Sequence, residues 1–329
     1  MRYTTIGDGD RSLRVSAICL GAMKLGSQVG EAESFAVLDR FVELGANFVD
    51  TANNYQFWVE GFDGGESEAV IGRWRAARGI TDEVVVATKF GAQPRTSGAG
   101  LEDAEGLSAD AVRAAVEGSR KRLGVDRLDL VYPHIEDRSV PLEETLGVLD
   151  GLVREGEVGL LGASNHRPWR LERARALSDA RGWPRYEVAQ HRYSYLQPRF
   201  DIPLPEAGHT HASSEHLDYV AQENRDGRPL ALVVYTSLLY GAYTRADREA
   251  ELSRPYDHPG TPARMAALRE VAAATGATAN QVVLSWLMGG ETPIIPLVGV
   301  SAVAQVDEAL AAVDLDLTAE QRELLDAAG

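Results

Sequence analysis

Short apolar runs alternate along the chain with longer stretches of helical periodicity. That is the rhythm of a parallel α/β architecture, in which each strand is followed by a helix. Eight runs stand out, at residues 17–20, 47–49, 84–88, 128–133, 158–163, 186–189, 230–234 and 294–298. Val84-Val85-Val86 is continuous rather than alternating, as expected of a strand buried on both faces. Helical spacing is clearest over Ala109–Leu123, where Val112, Val116 and Leu123 recur with small residues between them. Eight strand-helix units across residues 1–329 take about forty residues each, the scale of a single (β/α)8 TIM barrel. Two doubly wound domains are the alternative, but no Pro-, Gly- or Ser-rich linker divides the chain. A Rossmann fold needs Gly-x-Gly-x-x-Gly between a strand and a helix. Gly7-Asp8-Gly9 lacks both the third glycine and the helix. It is read instead as a hairpin turn between arms at 1–6 and 13–18, the second arm running into the first barrel strand.

Charge and cysteine content narrow the function classes. With 33 Lys+Arg against 49 Asp+Glu, the net charge of −16 opposes binding to polyanions, so no nucleic-acid partner is expected. The single cysteine, Cys19, allows no internal disulfide and no thiolate cluster, which suits a reducing compartment. No apolar run approaches the ~18 to 20 residues that span a bilayer. The opening Met1-Arg2-Tyr3-Thr4-Thr5-Ile6 is polar rather than signal-like. The expectation is a cytoplasmic protein with no membrane partner.

In barrels of this kind the chemistry sits at the C-terminal ends of the strands. The second run ends in Asp50 and leads to Tyr55, the third ends in Lys89 and the fourth in His134. The fifth gives Ser164 and Asn165, the sixth Gln190, the seventh Tyr235, and the eighth Gly299 and Ser301. Such a set suits carbonyl reduction. A developing alkoxide needs a proton, and a tyrosine of ordinary pKa about 10 is a poor donor near neutrality. A nearby ammonium lowers that pKa by favouring the phenolate, a role for Lys89, which Asp50 would keep charged. His134 can hydrogen-bond the substrate oxygen and help polarise it.

Five segments in order strengthen this reading. They are Gly45-Ala46-Asn47-Phe48-Val49-Asp50-Thr51-Ala52-Asn53-Asn54-Tyr55, Ala87-Thr88-Lys89, Leu128-Asp129-Leu130-Val131-Tyr132-Pro133-His134, Gly162-Ala163-Ser164-Asn165 and Pro296-Leu297-Val298-Gly299-Val300-Ser301, the last with Gln305 and Glu308. On these the chain resembles the aldo-keto reductase family over nearly its whole length, in the branch that includes potassium-channel β subunits and many bacterial members. The resemblance implies Tyr55 as general acid/base, His134 as orienter, and Asp50 with Lys89 as the tuning pair. It implies NADPH, with NADH as the alternative, held without a Rossmann fold. Ser164, Asn165 and Gln190 would grip the nicotinamide carboxamide, which needs donors and acceptors. Tyr235 would stack on the nicotinamide, and Thr236, Ser237 and Leu238 would run beneath the pyrophosphate, with Arg245 in reach of a phosphate. Gly299, Ser301 and Gln305 would meet the 2′-phosphate and adenine, and Glu308 the adenine amine. The sequence departs from the family pattern at Ala309, where many relatives carry Asn, and in having no Lys or Arg from 298 to 313. Arginine is the residue that fits a phosphate best, so the preference for NADPH follows family habit alone.

Two stretches exceed the compact family pattern and are expected over the active site. Residues 56–65 place Phe57, Trp58 and Phe62 after Tyr55, with Phe57 and Trp58 as a candidate substrate wall. Residues 199–211 read as a lid or an assembly surface, and Ser213 or Ser214 as the cap of the helix that follows. His209, His211 and His216 invite a metal reading, but no His-Glu-x-x-His pattern or cysteine accompanies them, so no metal is expected. Pro133 fixes the backbone just before His134. The leading expectation is NADPH-dependent reduction of an aldehyde or ketone, a small-molecule carbonyl substrate, with a homo-oligomer left open. Two alternatives are an NADPH-binding regulatory or redox-sensing subunit with little turnover, and a barrel aldolase using Lys89 as a Schiff base, which a paired Asp50 opposes.

Overall fold

Both faces of every barrel strand are buried, which is why the strands read as continuous apolar runs. The computed structural model describes residues 1–245, 247, 248, 252, 254–290, 292 and 294–329. Eight parallel strands close the barrel: β3 (Cys19–Gly21), β4 (Phe48–Asp50), β5 (Val85–Phe90), β6 (Leu128–Pro133), β7 (Val158–Ser164), β8 (Tyr186–Arg192), β9 (Ala231–Tyr235) and β10 (Ile294–Gly299). β10 pairs with both β9 and β3, so no strand edge is left open. Along each strand one set of side chains fills the interior: Cys19, Phe48, Val85, Leu130, Leu160, Val188, Val233 and Ile295. The alternate set packs outward against the helices, as Val49, Val86, Val131 and Leu161 do.

Those helices are α1 (Glu31–Glu43), α2 (Glu66–Arg78), α3 (Ala109–Leu123), α4 (Leu142–Arg154), α5 (Pro168–Arg181), α6 (Ser214–Arg225), α7 (Gly260–Thr275), α8 (Ala279–Met288), α9 (Val303–Ala311) and α10 (Ala319–Ala327). Among the described residues no helix is long and apolar enough to cross a membrane. α3 covers the predicted span 109–123, its buried face formed by Val112, Ala115, Val116, Ser119 and Leu123. Thr278 caps α8 in a box with Gln281, satisfying amide groups that the first turn leaves unpaired.

The expected hairpin is present as β1 (Tyr3–Ile6) and β2 (Leu13–Ser16), paired antiparallel. Its second arm does not run on into the barrel. The Ser16 amide donates to Asn47 Oδ1 at 2.7 Å and its hydroxyl to the Ile18 carbonyl at 2.8 Å, so the chain turns before β3 begins at Cys19. The hairpin lies at the N-terminal end of the strands, where Ile6 and Val15 join the interior cluster at 1% and 0% exposure. Gly7 there has φ +82°, and a Cβ would meet Leu160 at 2.7 Å, so only glycine lets the turn lie this close to the barrel floor.

Candidate active site

Asp50 closes β4, and Lys89 stands two residues beyond Ala87, its register partner on β5. Both side chains are at 0% exposure and form an ion pair through Lys89 Nζ and Asp50 Oδ1. Nζ also donates to the Thr51 carbonyl at 2.8 Å and lies 2.6 Å from Tyr55 Oη. Tyr55 Oη in turn donates to Asp50 Oδ1 at 3.1 Å, and Gln190 Nε2 donates to Asp50 Oδ2 at 2.8 Å. One carboxylate thus ties β4 to β5, to the loop carrying Tyr55 and, across the barrel, to β8.

Burial pushes the Tyr55 hydroxyl well above the ordinary phenol range, and the negative charge of Asp50 adds to it. The sequence-based expectation was the reverse, that Lys89 would pull it down. Desolvation penalises the phenolate more than one neighbouring ammonium favours it, because that ammonium is already neutralised by Asp50. Burial also lowers Lys89, with Asp50 as the main opposing influence. In this state the phenol keeps its proton.

His134, at the end of β6, is buried with its ring 6.0 Å edge-on from Tyr55. Asn54 Nδ2 donates to the Ala92 carbonyl at 3.2 Å, which leaves Asn54 Oδ1 to accept from His134 Nδ1 at 3.0 Å. The ring proton therefore sits on Nδ1, and burial, then Lys89 and His209, hold the imidazole neutral. Its Nε2 carries a lone pair, an acceptor rather than the second donor expected for polarising a carbonyl.

Asn165 connects this group to the other side of the mouth. Its Nδ2 donates to the His134 carbonyl at 3.0 Å and to Ser164 Oγ at 3.1 Å. Its Oδ1 accepts from Tyr235 Oη at 2.8 Å and from the Thr210 amide at 3.1 Å. Ser164 Oγ reaches the Gln190 carbonyl at 3.2 Å. Gln56, Asn165, Thr236, Leu239 and Tyr240 are, among the described residues, the non-glycine residues with φ between 47° and 70°. All five lie on loops that follow β4, β7 or β9 at their C-terminal ends. Such strain persists where the surroundings over-determine it, and it clusters at functional sites.

The model of the family described as the Aldo/keto reductase family matches residues 17–329. The chain belongs to that family. As a member it is an NAD(P)H-dependent oxidoreductase acting on carbonyl groups. It is similar to the oxidoreductase YrpG of Bacillus subtilis, 31% identical over 97% of this chain and 93% of that protein. A norsolorinic acid reductase of Emericella nidulans is 30% identical over 94% of this chain and 77% of that protein. An aryl-alcohol dehydrogenase of Pestalotiopsis microspora is 35% identical over 56% of this chain and 48% of that protein.

The remaining predicted residues of the reductase divide into groups. Ser237 is buried, its Oγ donating to the Leu297 carbonyl at 2.9 Å, which seats the loop of Thr236, Ser237 and Leu238 against β10. Past the exposed Gly299, the Ser301 amide and hydroxyl both donate to Gln305 Oε1, at 2.7 and 3.1 Å, at the start of α9. Glu308 accepts from Thr278 Oγ1 at 2.8 Å, beside the start of α8. The Arg245 guanidinium is engaged by Asp247 at 2.6 Å. Phe57 and Trp58 pair edge to face at 5.1 Å, with Trp58 exposed. Phe57 also lines a cleft of about 270 Å³ with Asp63 and residues 93–99.

The three histidines after β8 point three ways. His209 lies with its ring 5.9 Å from His134 and its Nδ1 3.3 Å from Tyr235 Oη. His211 packs against Phe200 and Tyr256. His216 packs on His191 at 4.3 Å and accepts the amide of Ser213, the residue that caps α6. Sequence reasoning missed Asn54 and His209 as neighbours of His134. Neither follows a strand directly, although His209 lies in the 199–211 segment expected over the site.

Burial lowers His209, His211 and His216 to about 4. An unfolded histidine titrates near 6.5, so below that pH the unfolded chain binds protons that the folded chain refuses. Stability is therefore expected to be flat from pH 8 to 7 and to fall from pH 6.5 towards 4. The slope is about 1.4 kcal/mol per pH unit for each well-buried histidine such as His216. Urea midpoints at pH 7 and pH 5 measure this, and equal midpoints would refute it.

Proposed function

We propose that this reductase converts an aldehyde or ketone to the alcohol with NADPH, Tyr55 supplying the proton. The observation that carries the reading is the contact of Tyr55 Oη with Lys89 Nζ at 2.6 Å, beside the fully buried Asp50–Lys89 pair. NADPH, when bound, supplies the hydride. Tyr55 gives its proton to the oxygen that gains negative charge, and the ammonium of Lys89 stabilises the phenolate left behind. Asp50 keeps Lys89 charged. The neutral His134 accepts the hydroxyl of the alcohol at Nε2 and orients it, which leaves polarisation of the carbonyl to the Tyr55–Lys89 pair.

The residues at the mouth fit a nicotinamide. Asn165 and Gln190 bring amides, Ser164 a hydroxyl and Tyr235 an aromatic face, all within the hydrogen-bonded set around Asp50. Thr236, Ser237 and Leu238 would carry the diphosphate, and Gly299, Ser301, Gln305 and Glu308 the adenosine end. The name of the aryl-alcohol dehydrogenase relative favours an aromatic carbonyl. The test is NADPH oxidation monitored across substituted benzaldehydes and aryl ketones, with NADPH and NADH titrated separately. Turnover of aromatic carbonyls with tighter NADPH binding is expected. Equal or tighter NADH binding would overturn the cofactor assignment, and slow reduction of every carbonyl would favour a sensing subunit.

A further inference from the structure

Arg192 is the last residue of β8, two positions beyond Gln190 on the same strand face. It is in register with Tyr235 on β9 and is 8% exposed. Its guanidinium lies 5.6 Å from the ring centre of Tyr240, the strained residue on the loop after β9. A guanidinium carries five N–H donors and is always charged, so burial demands strong acceptors around it. The acceptors beside it are weak or distant: the neutral phenol of Tyr256 and one carboxylate. Nε is buried with no hydrogen-bond partner. The carboxylate of Glu206 reaches NH1 only at 3.5 Å, and that side chain is 39% exposed on the irregular segment between β8 and α6. His211, bridged to Arg192 along the backbone, likewise has its Nε2 buried without a partner. Two buried nitrogens without partners therefore sit on one backbone bridge at the mouth of the barrel, faced by a loosely held carboxylate.

We infer that Arg192 is an anion-binding residue, taking a carboxylate or phosphate group of a ligand at the mouth, with Glu206 as the displaceable anion that occupies it beforehand. A carboxylate or phosphate can engage a guanidinium through two parallel N–H···O bonds, which the single long contact to Glu206 does not provide. Two sources carry this chemistry: a carboxylate on the carbonyl substrate, or the diphosphate of the cofactor, whose proposed loop begins beside Tyr235. The substrate arm rests on the reductase reading, while the binding arms do not.

The test uses the full chain and the variants Arg192→Met and Glu206→Gln. NADPH is titrated by fluorescence, benzoate by calorimetry, and 4-carboxybenzaldehyde is compared with benzaldehyde as substrate. Arg192→Met is expected to weaken one anion by tenfold or more. A drop in benzoate affinity and in the preference for 4-carboxybenzaldehyde identifies the substrate as the source, and a drop in NADPH affinity identifies the cofactor. Glu206→Gln removes the competitor and is expected to tighten the same ligand severalfold, the opposite sign. A folded Arg192→Met that binds both anions as the parent does overturns the inference. So does a Glu206→Gln that leaves binding unchanged or weakens it, and this arm decides alone if Arg192→Met does not fold. If the parent protein reduces no carbonyl the proposed function fails, yet the two titrations still decide the role of Arg192.

Discussion

Replacing Tyr55 with Phe is expected to lower carbonyl reduction by about 10²- to 10⁴-fold, the usual worth of a positioned proton donor, while cofactor binding stays within twofold. The ring itself survives the change. Its edge-on packing against His134 at 6.0 Å is kept, and Lys89 retains both Asp50 and the Thr51 carbonyl as partners. The loss therefore falls on the chemical step. Single-turnover hydride transfer should be slowed as much as steady-state turnover, and the NADPH titration should superimpose on that of the parent. Turnover within tenfold of the parent would remove Tyr55 from the mechanism.

The second large effect concerns stability as well as activity. Lys89→Met leaves the Asp50 carboxylate at 0% exposure with, among the described residues, only Tyr55 and Gln190 as side-chain donors. Breaking a buried ion pair by removing one partner typically costs about 3–5 kcal/mol, because a charge is left unpaired in low dielectric. Removing the charge as well should recover much of that. The double variant Asp50→Asn/Lys89→Met is therefore expected to unfold at a higher denaturant concentration than Lys89→Met alone, while both remain inactive. This separation is informative because activity and stability move apart. A double variant no more stable than the single one would show that the lost contacts of Nζ, rather than the stranded charge, dominate the cost.

The barrel was legible because strands buried on both faces must be apolar throughout, and eight such runs recur with helices between them. The first strand was misplaced by a residue or two for a local reason: Ser16 and Asn47 exchange hydrogen bonds that stop the hairpin arm short. Asp50, Lys89, His134 and Gln190 were legible because each sits at or just beyond the end of an apolar run. Asn54, His209 and Arg192 were harder. Asn54 reaches His134 only because Ala92 orients its amide, and His209 arrives through a segment with no periodicity. Nothing in the sequence sets Arg192 apart from other polar residues, and its burial and its unpartnered Nε distinguish it. The proton affinity of Tyr55 was not legible at all, since it depends on how far burial outweighs a neighbouring charge.

The hairpin floor has a consequence for proton traffic. With Cys19, Phe48, Val85 and their neighbours filling the interior and Ile6 and Val15 packed beneath them, the described residues close the barrel at its N-terminal end. Among the described residues the way from bulk water to Tyr55, Lys89 or Asp50 therefore lies at the rim, past the loops that carry Asn54, Asn165 and His209 and past Tyr235 at the end of β9. Whatever covers that rim therefore also sets the rate at which the site can be recharged with protons. A bound molecule and bulk water compete for that rim.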